Sequence, residues 1–98
     1  MSFDEIVVNA SVLDGLPGIG WPPVPVAVVR ARAAAGMTAD ELAGAFRSFT
    51  STGVAQALAM PARQALPPGG ITATQYDQLS EDVCAWIEVV DGQIVARR

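Results

Sequence analysis

Ninety-eight residues carry a formal net charge of −4, from ten acids against six arginines, and contain neither histidine nor lysine. That composition excludes Ser–His–Asp and Cys–His nucleophilic machinery, Schiff-base lysines, Ser–Lys dyads and the usual zinc ligand sets. Apolar residues make up 51% of the chain, enough for one core, and residues 1–98 are read as a single domain.

"FDEIVVNASVL" (3–13) is rich in β-branched residues and ends at the Asp14-Gly15 turn pair, which predicts a strand. Glycines and prolines punctuate 15–25, which therefore reads as neither helix nor central strand. Within it "GLPGIG" lacks the Lys-Ser/Thr of a phosphate loop, and "WPPVP" reads as a rigid helix entry in preference to a polyproline II ligand. Pro25 suits a first helical turn, and the helix it opens is expected to stop at Gly36.

Thr38 with Glu41 three residues on is a capping box that opens the next helix. Leu42, Ala45, Phe46 and Phe49 follow at helical spacing as a core-facing stripe. A polar break at 48–52 separates it from a second helix that begins near Thr52 or Gly53 and carries Val54, Ala57 and Leu58 on one face. Pro61 either kinks that helix or begins a short new turn, and "PPGG" at 67–70 ends it.

Thr72 and Gln75 form another capping box, and Tyr76, Leu79 and Val83 predict a helix over about 73–83. In the tail, Asp91-Gly92 between two β-branched runs predicts a two-residue type I′ hairpin. It pairs Val90 with Gln93, Val89 with Ile94, Glu88 with Val95, Ile87 with Ala96 and Trp86 with Arg97. Ile87, Val89, Ile94 and Ala96 then form a face to be buried, while Trp86, Glu88 and Arg97 make a cation–π and charge cluster opposite. The N-terminal strand is available as a third sheet member. The expected class is α+β, with three to four short helices and a small antiparallel sheet that includes the C-terminal hairpin.

Seventeen of the apolar residues are alanine, so the core should be thin and closely packed, and oligomerisation would support it. Charge is uneven. Residues 1–14 carry three acids and no base; 15–76 carry four arginines against Asp40 and Glu41; 77–98 carry five acids and two arginines. The acidic total argues against general nucleic-acid affinity, although the middle is mildly basic. Cys84 is the sole cysteine, no basic leader opens the sequence, and the apolar run at 24–29 is too short to span a bilayer. A soluble cytoplasmic protein is the expectation.

Asp77, Glu81 and Asp82 offer a weak cation site or an acid–base pair, but a solvated helix face is the preferred reading. Cys84 is read as a packing residue rather than a redox nucleophile, since nothing cationic adjoins it in sequence. No catalytic, cofactor-binding or metal-binding residues are assigned, and no enzyme activity is expected.

"MTADELAGAF" and "TSTGVAQALAM", as two motif helices around a polar turn, resemble the winged helix–turn–helix family. Thr38, Leu42, Phe46, Val54 and Leu58 fall where that family has its cap and buried positions, and the helix at 25–35 and the DG hairpin resemble its first helix and wing. Two features depart from the pattern. Residues 67–83 intervene before the wing, and Gln56 is the only long polar side chain of the second motif helix. The resemblance implies a winged-helix-like scaffold whose interaction or DNA-contact residues are Arg47, Ser51, Thr52, Gln56 and Arg63, with Trp86 and Arg97 on the wing. Weighed together, the features favour a non-enzymatic regulatory or protein–protein interaction module with a protein partner or a homo-oligomer. The alternatives are a dimeric DNA-binding regulator and an accessory subunit of a larger enzyme.

Overall fold

Short polar side chains and proline set most element ends in the computed structural model, which describes residues 4–9, 11, 13–20, 23–45, 49–66 and 69–96. Pro25 is the N-cap of α1 (Val26–Ala34), whose first turn leaves its missing N–H without consequence. At the other end Gly36, at φ 108°, closes a Schellman motif. Its N–H donates to the Ala33 carbonyl at 3.0 Å and that of Met37 to Arg32 at 3.1 Å. Thr38 and Glu41 cap α2 (Ala39–Ala45) reciprocally, at 3.0 and 3.1 Å. Thr50 caps α3 (Ser51–Ala59) by accepting from the Gly53 N–H at 2.9 Å, so the helix begins slightly before the expected Thr52.

Pro61 begins a new helical turn, α4 (Ala62–Ala65), and Thr72 with Gln75 forms a capping box on α5 (Ala73–Asp77). The single helix expected over 73–83 is two helices. Ser80 accepts the Val83 N–H at 3.3 Å and starts α6 (Glu81–Cys84) afresh, a cap competing locally with helix continuation. Asp77 and Glu81 therefore sit on different elements and are not one turn apart on a shared face.

The hairpin β3 (Ile87–Val90) and β4 (Gln93–Ala96) has the expected register at all four described pairs, from Ile87↔Ala96 to Val90↔Gln93. Asp91 at φ 52° and Gly92 at φ 79° supply the two positive φ values of a type I′ turn. Burial of its inward face is incomplete: Ile87 is fully buried and Ile94 and Ala96 half-buried, but Val89 is 38% exposed. The inward face is covered at the Ile87 end, while the 69–71 segment meets the turn at Gly92 without burying Val89.

Three further expectations are corrected. Among the described residues the hairpin sheet has only two strands, and the N-terminal segment contributes isolated bridge positions, Val7, antiparallel to Gly18, and Asn9. A strand through 13 is prevented because Leu13, Asp14 and Gly15 take φ values of 54°, 50° and 89° in a tight left-handed turn. The Gly/Pro-rich stretch after it holds a two-residue antiparallel ladder, Gly18–Ile19 (β1) against Val24–Pro25 (β2). Ala45, placed in the core stripe of α2, is exposed at that helix's last position, whereas Leu42 and Phe49 are buried as expected; Phe46 lies outside the described residues.

The architecture is α+β: six helices among the described residues, three of them of seven residues or more, with two small antiparallel sheets. α1 packs against α2, α3 and β4, and α2 against α3. The main core joins Val26, Val28 and Val29 of α1 with Leu42, Val54 and Ile87. Four of these six are valine, which fits the thin, small-residue core that the composition suggested. No helix among the described residues is long and apolar enough to cross a membrane.

Candidate functional site

α3 carries Ser51, Thr52 and Gln56, three of the expected contact residues. Its N-cap opens a short relay. The Gly53 N–H donates to Thr50 Oγ1, and the Thr50 hydroxyl donates to Glu5 Oε1 at 2.9 Å. A carboxylate thereby sits at the positive end of the helix dipole, where an anionic ligand would otherwise be attracted. The same residue holds the helix one turn further on, its backbone N–H donating to Gln56 Oε1 at 2.8 Å.

Gln56 is consequently only 7% exposed and faces inward. Its side-chain oxygen is committed to the N-terminal segment, so little of this expected contact residue lies at the surface. Ser51 and Thr52 are exposed on the first turn of α3, and Arg63 is exposed on α4. Arg47 and Arg97 lie outside the described residues.

Among the described residues, Arg30 and Arg32 serve the fold. Arg30 on α1 donates from Nη1 to the Leu58 and Met60 carbonyls at 3.0 and 2.6 Å, satisfying acceptors at the C-terminal end of α3. Arg32 lies 5.1 Å from the Trp86 ring centroid and donates to the Trp86 carbonyl at 3.4 Å. Trp86 thus has the cation–π partner expected on the wing, but that partner comes from α1. Glu5 and Arg30 were absent from the sequence-derived site. No local pattern marks them, because their partners lie 51 and 30 residues away.

A second feature is a groove. A cavity of about 650 Å³ lies between Ala31, Arg32, Ala34 and Ala35 of α1 and Ile94, Val95 and Ala96 of β4. A smaller one of about 260 Å³ shares Ala31, Ala34 and Ile94 and runs on to Arg30, Ala62 and Ala65. The alanines make it roomy, since larger side chains at those positions would fill it. Val95, at 46% exposure, also lies on the outer face of the hairpin, as does Val90 at 51%.

Among the described residues no group of three or more histidines, cysteines, aspartates or glutamates is placed to hold a metal ion. The Thr38 backbone N–H, then its hydroxyl, hold the Glu41 carboxyl below its ordinary value. That shift belongs to the α2 cap. The sequence matches no protein-family model, no curated protein and no solved structure.

Proposed function

We propose that this chain is a small non-enzymatic regulatory module that binds another protein, built on a winged-helix-like scaffold. The observation that carries this reading is the Glu5–Gln56 pairing. It turns the one long polar side chain of the second motif helix inward and sets an acid at that helix's N-terminus. What α3 exposes to solvent is then Ser51, Thr52, Ala55 and Ala59, too little for base readout. Arg30 and Arg32 are engaged in holding α1 to α3 and to Trp86. The exposed valines of the hairpin and the apolar groove beside it are surfaces of the kind that bind protein.

The test is a mobility-shift titration against random-sequence duplex DNA in low salt, run beside cross-linking and affinity capture. The expected result is no shift at tens of micromolar protein, where phosphate-driven binding is strongest, with a protein captured in fixed stoichiometry. A saturable DNA shift lost on Arg63→Ala would overturn this reading in favour of the DNA-binding one. The exposed Ser51, Thr52 and Arg63 are what favour that alternative.

A further inference from the structure

We propose that the outer edge of β4 is a docking site for an extended, carboxylate-bearing segment of a partner protein, which adds as a third strand in the groove between β4 and α1. The inference rests on the interaction-module reading and names its surface and the chemistry of its partner.

The hairpin register determines which backbone groups face outward. A two-residue type I′ turn closes on the hydrogen-bonded pair Val90–Gln93, and opposing pairs then alternate. Glu88 and Val95 exchange backbone bonds, whereas Val89–Ile94 and Ile87–Ala96 are the non-bonded pairs. The N–H and C=O groups of Ile94 and Ala96 therefore point away from β3. Among the described residues no backbone bond joins either residue to another element.

That edge is one wall of a cavity. Three consecutive residues, Ile94, Val95 and Ala96, line the groove of about 650 Å³ opposite the alanines of α1. Consecutive lining residues mean that the strand presents its backbone edge to the space, not merely one face. An added strand runs about 4.8 Å from its neighbour and needs room for alternate side chains on the helix side. Alanine at 31, 34 and 35 leaves that room. Backbone pairing supplies affinity in this mode and the side-chain contacts supply selectivity.

Charge selects the occupant. Among the described residues, Arg30 and Arg32 line the two adjoining cavities and no aspartate or glutamate does. The carbonyls that Arg30 bonds satisfy its N–H geometry but cancel none of its charge. A second copy pairing β4 to β4 across a two-fold would bring both sets of arginines together, an unfavourable like-charge arrangement. A segment with carboxylates at alternate positions meets them favourably.

The probe is a fluorescein-labelled eight-residue peptide of alternating Glu and Val, beside its Lys–Val counterpart, measured by polarisation and by amide chemical shifts of the full chain. Saturable binding of the Glu–Val peptide is expected, weakening as salt rises, with the largest shifts at Ile94, Ala96 and Ala31–Ala35; the Lys–Val peptide should bind at least about tenfold more weakly. Ala34→Glu, at an exposed helical position, should lower binding about tenfold while the circular-dichroism melt is retained. Ala96→Pro, which removes an outward N–H without breaking a ladder bond, should act likewise. The proposal is overturned by absence of saturable Glu–Val binding at low salt, by equal Lys–Val binding, or by indifference to both variants. A concentration-dependent dimer whose Ile94 and Ala96 amides are protected without peptide would also overturn it. Loss of peptide binding with a protein partner still captured removes this site alone, whereas a saturable DNA shift removes the module reading itself.

Discussion

Arg30 donates to the Met60 carbonyl at 2.6 Å across 30 residues of sequence, and with the Leu58 carbonyl at 3.0 Å this ties α1 to the end of α3. Charge-assisted bonds to partly buried acceptors are worth more than neutral ones, and removing the donor leaves two carbonyls short of a partner. Arg30→Ala should lower unfolding free energy by about 1.5–3 kcal/mol in urea titration. Arg63→Ala, at an exposed position, should stay within about 0.5 kcal/mol of the parent. Equal losses at both positions would refute the clamp.

Gln56→Leu keeps bulk at position 56 but removes the acceptor for the Glu5 N–H. The variant should lose about 1–2 kcal/mol, and the Glu5 amide should exchange with deuterium much faster than in the parent. If Glu5 exchange is unchanged, the N-terminal segment is held by other contacts and the α3 surface must be reconsidered.

Gly69 and Gly70 share φ 87° but differ in their surroundings. A Cβ on Gly69 would meet nothing within 4 Å, whereas one on Gly70 would overlap the Gly92 backbone. The Ile71 N–H donates to the Gly92 carbonyl at 2.8 Å, which fixes that close approach. Gly69→Ala should cost about 1–2 kcal/mol from backbone conformation alone. Gly70→Ala should cost clearly more, because the hairpin turn must also move. Thermal melts of the two variants in parallel read this difference directly.

Glu41 carries the pH dependence of the α2 cap. Its folded pKa is lowered by the Thr38 N–H and hydroxyl, so the folded state binds fewer protons than the unfolded state around that value. The stability it contributes is full above the ordinary carboxylate range and is lost as pH falls through the folded value. In Glu41→Gln that contribution should be missing at neutral pH, and the difference from the parent should narrow on acidification. Melting temperatures measured across the acid range would show it; a difference independent of pH would contradict the assignment.

What was legible in the sequence was local. The Thr38–Glu41 and Thr72–Gln75 boxes, the Pro25 start and Gly36 stop of α1, and the Asp91-Gly92 register all depend on partners within a few residues. The helix break at Ser80 was missed although it is equally local, because apolar spacing through Tyr76, Leu79 and Val83 suits one helix or two. Less accessible were the directions of Gln56 and Arg30, both on helix faces where solvent and interior are equally compatible with the spacing. Glu5 and the Met60 carbonyl, distant in sequence, decide them. Val89 shows the same limit: alternation identified its face correctly, but how far the helices extend over that face is a tertiary matter.

The packing of β4 on α1 also has a kinetic side. The hairpin is a local structure that closes in microseconds, and α1 needs only neighbouring residues to form. Their docking joins segments separated by nearly the whole intervening chain, so it must await a long loop closure with its entropic cost. Until then the alanine face of α1 and both edges of the hairpin are exposed together. Bringing the two together is expected to be slower than either local step, and before they meet this acidic, alanine-rich chain is most open to mispairing.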